Sequence, residues 1–442
     1  MKRTYQAYGL ANYRNIPQIA RLSSEELDAI EVVGRVLPFK TNNYVVEELI
    51  DWERIATDPI FTLNFPRREM LSKKYYTTIR KLLEQPVEKD KFTATVNAIR
   101  LELNPNPAGQ EHNVPMLGNT RLKGIQHKYR ETVLFFPAQG QTCHAYCSFC
   151  FRWPQFTGMN ELKFAMKETD LLLNYLRLHP QVTDILFTGG DPMTMSASLL
   201  SAYVEPLLQA GFEHIQTIRI GSKSLAYWPY RFISDTDADD ILRLFEKVTA
   251  AGKNLSFQAH FNHPVELSTK AVQQAIRNIR NTGAQIRTQS PLLKHINDSP
   301  DLWSEMWRKQ VDLNCIPYYM FVARDTGAKH YFELPLEKCW DIFRKAYRQV
   351  SGICRTVRGP SMSDEPGKIQ ILGITEIQEE KVFVLRFIQG RNPKWVDVPF
   401  FAAYDPKATW FSELRPAFGK DNFFFQQEYP PRPSYGDNLL YE

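Results

Sequence analysis

The chain has 442 residues, 43% of them hydrophobic and 23% charged, which allows a large buried core and excludes wholesale disorder or a coiled coil. Lys and Arg number 54 against 49 Asp and Glu, a net charge of +5 with no basic run, so an extended nucleic-acid footprint is excluded and small anions are favoured. No window holds the roughly 18 apolar residues of a membrane span, and the N-terminus lacks the apolar stretch of a secretion signal. The expectation is a cytoplasmic protein without membrane or nucleic-acid partners. Six cysteines form no disulfide framework in a reducing compartment, yet three of them fall within eight residues.

Residues 1–115 are expected to be mainly helical. Ser23, Ser24, Glu25 and Glu26 have capping-box spacing before the apolar-periodic LDAIEVVGRVL, and 75–83 has the pattern of another helix. Pro59, Pro66 and Pro86 punctuate this region, and NPNPAGQEHNVPMLGN (104–119) marks the junction to the next unit. No internal repeat is visible.

From about 130, short apolar or alternating runs recur: VLFFP (133–137), DILFT (184–188), IQTIRI (215–220), LSFQAHF (255–261), AQIRTQ (284–289) and CIPYYMFV (315–322). Helical patterns such as ETDLLLNYLRLH, DADDILRLFEKVTAAG, STKAVQQAIRNIRNTG and SPDLWSEMWRKQV separate them, with Gly252 and Gly283 as stop signals. Strand then helix, six times over, predicts an α/β fold with a parallel sheet, open or closed as a barrel. The pattern changes again after about 365, where KVFVLRFIQG is expected to be a late-pairing strand. An aromatic, Pro-rich tail follows, a lid, an oligomer contact or a surface wrap. The expected units are 1–115, 116–360 and 361–442.

Polar groups follow each strand in turn: CHAYCSFCFR, TGGDP, RIGS, HFNHP, RTQS and ARD. In a parallel α/β fold these loops converge at the edge where ligands bind. Cys143, Cys147 and Cys150 form C-x3-C-x2-C. Thiolates are soft donors suited to zinc or an iron–sulfur cluster. Three can hold three irons of a [4Fe–4S] cube and leave the fourth iron open. Structural zinc wants a fourth ligand, and His144 directly beside Cys143 is poorly placed to be one.

With Phe149 before its third cysteine, this spacing resembles the signature of the radical SAM superfamily. GGDP (189–192) resembles that superfamily's glycine motif for the amino group of S-adenosyl-L-methionine (SAM). RIGS (219–222), HFNHP (260–264), RTQSPLLKHIND (287–298) and PYYMF (317–321) resemble successive strand-end motifs of the lysine 2,3-aminomutase family, over about residues 15–390. The resemblance implies a partial (β/α)6 TIM-like barrel with a helical N-terminal region and a C-terminal extension. It also implies an isomerase that cleaves SAM to a 5′-deoxyadenosyl radical and moves an amino group from C2 to C3 of an amino acid held as an imine of pyridoxal phosphate (PLP).

Residue by residue, the resemblance assigns Cys143, Cys147 and Cys150 to the cluster. Phe149, Gly189, Gly190, Asp191, Ser222, His260 and Gln289 go to the SAM site, Arg152 to the substrate carboxylate and Lys368 to the PLP imine. Lys128 and Tyr129 fall near PLP. Thr132 stands where a second basic residue is kept, with Arg130 close by, and Phe321 stands in place of a tyrosine. Only Gly367 remains of the glycine run before Lys368. Where lysine-specific members place two acids, this chain has Arg324 and Ser361, with Asp325 and Asp364 nearby. An acidic or neutral substrate side chain is therefore expected in place of lysine's ammonium. A reducing donor such as flavodoxin or ferredoxin is implied, and a homo-oligomer is left open. The C-terminal stretch ATWFSELRPAFGKDNFFF has no cysteine, so no intersubunit zinc is expected there, and Cys315, Cys339 and Cys354 are expected to be buried structural thiols. Two other readings stand beside this one: radical SAM chemistry without PLP, and a non-catalytic iron–sulfur or zinc protein.

Overall fold

The computed structural model describes residues 3–85, 87–104, 113–159 and 162–428; Pro86, part of the 104–119 junction and the Pro-rich end of the tail lie outside the described residues. In the N-terminal region β1 (Ala7–Gly9) pairs antiparallel with β2 (Lys40–Asn42). Between them runs α1 (Ser24–Val36), opened by the expected capping box: the Ser23 hydroxyl accepts from the Glu26 amide at 3.2 Å, and the Glu26 carboxylate accepts from the Ser23 amide at 2.9 Å. Three further helices follow, α2 (Pro59–Asn64), α3 (Lys73–Glu84) and α4 (Lys89–Glu102). At the junction β3 (Met116–Leu117) and β4 (Thr120–Arg121) form a small hairpin.

One eleven-stranded sheet organises the rest. In chain order its strands are β5 (Ile125–Tyr129), β6 (Thr132–Phe135), β7 (Asp184–Phe187), β8 (Thr217–Ser222), β9 (Asn254–His260) and β10 (Gln285–Leu292). They continue with β11 (Ile316–Val322), β12 (Arg358–Ser363), β13 (Gly367–Ile377), β14 (Glu380–Gly390) and β15 (Pro399–Ala403). Each strand pairs with its neighbour in sequence; β6 to β12 run parallel, and β5 and β13 to β15 add antiparallel strands at the two edges. The crossovers are helical: α5 (Thr169–Arg177), α6 (Ala197–Val204), α7 (Ser224–Tyr227) with α8 (Ala238–Ala250), α9 (Lys270–Asn281), α10 (Pro300–Asp312), and α11 (Lys329–Phe332) with α12 (Leu336–Arg348). This is the partial α/β barrel expected, with six strand–helix repeats and a seventh parallel strand. The strand order runs from β5 to β15 without closing.

The alternation along β8 shows why the barrel forms. Ile218 and Ile220 are buried, while Thr217, Arg219 and Gly221 between them keep some exposure. Arg219 is held by Asp184 of β7, with contacts of 2.7 and 2.6 Å. A strand covered by crossover helices on one face must bury that face. Gly252 and Gly283 follow α8 and α9 with φ of 77° and 85°, the left-handed conformation that ends a helix. Cys315, Cys339 and Cys354 are free and buried. As far as Glu428 the aromatic tail wraps its own sheet: Phe423 and Phe425 stack at 5.7 Å, and both rings meet Phe400 of β15. Among the described residues no helix is long and apolar enough to cross a membrane.

Candidate active site

The cysteine loop leaves the end of β6 and has few backbone bonds of its own, among them Cys150 N to Cys147 O at 3.0 Å and Trp153 N to Cys150 O at 3.2 Å. The glycine loop after β7 packs directly on it. The Asp191 amide donates to the carbonyls of Gly140 at 3.0 Å and Thr142 at 2.6 Å. A side chain on Gly190 would collide with the backbone of Thr142, and Gly189, at φ +140°, lies against Gln141. The glycines thus allow two loops to touch backbone to backbone. All three cysteines are free and half-buried. Burial lifts the Cys147 thiol to about 11 and the Cys150 thiol to about 12, and Cys143 rises as well. Cys147 and Cys150 add to the rise at Cys143, as Cys147 does at Cys150, so the thiols lie within electrostatic reach of one another. Among the described residues no three His, Cys, Asp or Glu converge tightly enough for a single metal ion. A trio of soft donors on one loop suits an iron–sulfur cluster.

Beyond the cysteines, the Asp191 carboxylate is fully engaged. It accepts from the Ser222 and Ser224 hydroxyls at 3.0 Å each and from the amides of Lys223 and Met193 at 2.9 Å each. Asp191 and Ser222 therefore lock the β7 and β8 loops together through their side chains. His260, at the end of β9, faces Phe149 edge to face at 5.8 Å, and its buried Nε2 has no hydrogen-bond partner. Burial, then the Lys223 charge, holds its pKa well below the usual range, so the ring is neutral. An orphaned polar atom beside the cysteine loop is what a nucleoside-bearing ligand would satisfy. The register sets His260, Gln289 and Tyr319 side by side across β9, β10 and β11.

The Lys368 ammonium lies over the Tyr319 ring, 4.0 Å from its centroid, and 5.3 Å from that of Phe321. Burial first, with Arg219 and Arg358 adding to it, lowers the amine to about 7. Gly367 is required beside it because a Cβ there would strike the Gln389 carbonyl. Lys128 donates to the Asp364 carbonyl, and its pKa falls through burial and then the Arg324 charge. Tyr129 lies under it, with the ammonium 5.6 Å from the ring centroid. Lys128, Arg324 and Arg391 all act on the same small volume around Asp364, a concentration of cations that fits a phosphate-bearing cofactor. Thr132 bonds Asp184 at 3.4 Å, and Arg130 is exposed and faces Glu131 at 4.0 Å, away from this cluster of cations.

Arg152 is buried, with its guanidinium 4.2 Å from the Phe136 centroid and 5.1 Å from that of Phe151; its Nη1 has no partner. Burial pulls its pKa down to about 9, with Arg324 pushing the same way against Cys150. Arg324 approaches the same Phe151 ring at 5.7 Å, donates to the Ser363 carbonyl at 2.9 Å, and leaves a buried Nε unpartnered. Ser361 is turned away, its hydroxyl 3.4 Å from the Met320 carbonyl. Two guanidiniums, each with an unpartnered nitrogen, thus lie around one ring, and guanidinium donors suit anionic oxygens.

Sequence reasoning missed a buried group beneath Cys147. Lys223 Nζ donates to Glu266 at 2.6 Å, Asn262 at 2.8 Å and the His260 carbonyl at 3.3 Å. Its charge lowers the Cys147 thiol, whose sulfur is 3.6 Å from the Tyr227 hydroxyl. Both halves follow quoted motifs, Lys223 after RIGS and Glu266 after HFNHP, but only the fold pairs them.

No protein-family model matches the sequence. A protein named "Putative L-lysine 2,3-aminomutase" from Aquifex aeolicus is 30% identical over 396 residues, 89% of this chain and 92% of that one. The chain belongs to the lysine 2,3-aminomutase family. It is a radical SAM enzyme of the isomerase type. The L-lysine 2,3-aminomutase of Clostridium subterminale is 27% identical over 254 residues, 58% of each chain, and that of Bacillus subtilis is 23% identical over 338 residues, 76% of this chain and 61% of its own. Among solved structures, a radical SAM methyltransferase from Sphaerobacter thermophilus matches with a TM-score of 0.38 at 15% identity, covering 53% of this chain and 68% of that one. SuiB of Streptococcus suis, bound to the precursor peptide SuiA, matches at 0.34 and 10% identity, covering 61% and 55%. Scores this low carry no argument about the site.

Proposed function

We propose that this family member is an amino-acid 2,3-aminomutase that uses a [4Fe–4S] cluster, SAM and PLP on a substrate with an acidic side chain. One observation carries the reading: the half-buried Lys368 amine lies over the ring of Tyr319, which is in the same register row as His260 and Gln289. A lysine able to hold PLP would then stand beside a histidine on the SAM side of the barrel. When bound, the cluster and SAM would supply a hydrogen-abstracting radical, and PLP the aldehyde that takes up the migrating nitrogen.

The chain's own groups would do the rest. Cys143, Cys147 and Cys150 hold the cluster, and Gly189 and Gly190 let the SAM-side backbone approach. Arg152 grips the substrate carboxylate with its free Nη1 and so fixes which carbon faces the radical. Lys368, with its pKa lowered to about 7 chiefly by burial, would be partly a free amine near neutrality and would be the residue that holds PLP. Arg324 turns its unpartnered Nε to the side-chain carboxylate. Two like charges 4 Å apart at an effective dielectric of about 20 repel by about 4 kcal/mol, so lysine's ammonium is rejected there.

Borohydride reduction of the PLP-loaded protein tests the role of Lys368. The expected result is a pyridoxyl group on the Lys368 peptide, absent from Lys368→Ala. The capture rate should rise with pH and reach half its maximum near 7, because the neutral amine reacts. Trapping on another lysine would remove Lys368 from this role, and no trapping at all would leave a radical SAM enzyme without PLP. Turnover of glutamate against lysine tests Arg324: wild type should prefer glutamate, and Arg324→Glu should shift the ratio towards lysine by at least about 100-fold. Efficient lysine turnover by wild type would refute the acidic-substrate assignment.

A further inference from the structure

The cysteine loop has few bonds of its own, and its backbone is held from outside. Besides the Asp191 amide on the Thr142 carbonyl, the outside bonds to the backbone from Cys143 to Ser148 come from residues more than 80 positions earlier in the chain. Tyr5 donates its hydroxyl to the His144 carbonyl at 2.7 Å. Asn42, fully buried in β2, donates to the same carbonyl at 3.1 Å and to the Tyr227 carbonyl at 2.9 Å. Its own carbonyl oxygen accepts from Val45 N at 3.0 Å, so the amide is committed at both ends. Lys40 Nζ donates to the Cys143 carbonyl at 2.8 Å and to Thr142 Oγ1 at 3.3 Å, and lies between the rings of Tyr5 and Tyr146 at 6.0 and 5.6 Å.

Bonds also run from the loop outward. Tyr146 N donates to the Lys40 carbonyl at 2.7 Å. Ser148 donates from its amide to the Leu63 carbonyl at 2.9 Å and from its hydroxyl to the Thr62 carbonyl at 2.6 Å. Thr62 and Leu63 end α2, where helix carbonyls lack partners of their own. The loop and the N-terminal region therefore complete each other's hydrogen bonding. Four of the residues from Cys143 to Ser148 take part.

We propose that Tyr5, Lys40 and Asn42 are positioning residues of the cluster site. They clamp the backbone between the first two cysteines, so that the three thiols are aimed before iron arrives. The inference rests on the cluster reading above. Groups that orient metal ligands through hydrogen bonds strongly affect metal retention, and a cation beside a cluster favours its more negative, reduced state. Lys40 would then do two things, hold the loop and raise the potential, whereas neutral Tyr5 would only hold it.

The test uses the full-length chain with Tyr5→Phe, Lys40→Met and both together, each of which keeps the packed stem or ring. In the iron-free protein, alkylation of Cys143, Cys147 and Cys150 should be faster by at least about fivefold in the double variant, the worth of one net hydrogen bond, with buried Cys339 as internal reference unchanged. After anaerobic reconstitution, the double variant should lose iron to a chelator faster than wild type. Lys40→Met alone should also move the cluster midpoint potential to a more negative value, and Tyr5→Phe should not. Unchanged alkylation in the double variant, with wild-type iron retention, would overturn the clamp. Should the double variant fold poorly, Tyr5→Phe alone, which removes only a hydroxyl, decides the alkylation arm. A wild-type chain that binds no iron would defeat the cluster reading instead, and the alkylation arm would still decide the clamp.

Discussion

Arg152→Met is expected to lower kcat/KM by about 100- to 1,000-fold for every amino acid the enzyme accepts, without changing which it prefers. The guanidinium is buried against Phe136, with an Nη1 that has no hydrogen-bond partner and no ion pair among the described residues. Truncating one partner of a buried, hydrogen-bonded charge pair costs about 2–5 kcal/mol, and an unanchored carboxylate also leaves the reacting carbon badly aimed. Methionine fills the stem's volume, so the fold should survive. SAM cleavage without substrate should be nearly unaffected, which separates a lost substrate anchor from damage to the neighbouring Cys150. Arg152→Lys should recover little, since a point charge cannot make the two-pronged contact of a guanidinium. An unchanged kcat/KM in Arg152→Met, measured over glutamate and neutral amino acids, would remove Arg152 from the substrate site.

Cys147→Ala should abolish turnover altogether and reduce iron retained after anaerobic reconstitution by at least about 100-fold in affinity, above the range for a group that only orients a ligand. The sulfur lies 3.6 Å from the Tyr227 hydroxyl and within reach of the Lys223 charge. Alanine there leaves a small void and no new clash, so the far-ultraviolet spectrum should be that of wild type. Retained iron with the wild-type spectrum of the reduced cluster would show that Cys147 is not a ligand.

Much of the barrel was legible because parallel strands under helices repeat a strong local signal. The runs at 184–188 and 255–261 fall on β7 and β9, and Gly252 and Gly283 stop their helices as expected. The strand Arg358–Ser363 was not legible: RGPSMS carries a Gly-Pro pair that argues for a turn, and only pairing with β11 makes it a strand. The cysteine trio was legible because its spacing is itself the chemistry. Asp191 stood out in its motif, yet three of the four hydrogen bonds its carboxylate accepts, those from Ser222, Lys223 and Ser224, depend on strands brought together by folding. The same holds for Tyr5, Lys40 and Asn42, which no local pattern ties to a loop a hundred residues away. Arg152 and Arg324 are 172 positions apart, and their shared Phe151 ring is a product of the barrel alone.

The most direct measurement follows SAM itself. Protein purified and reconstituted without oxygen, given a strong reductant and SAM, should carry about four irons per chain and release 5′-deoxyadenosine. Release should vanish when any one of the three cysteines is replaced. Intact SAM beside a fully reconstituted, reduced chain would contradict the account at its base.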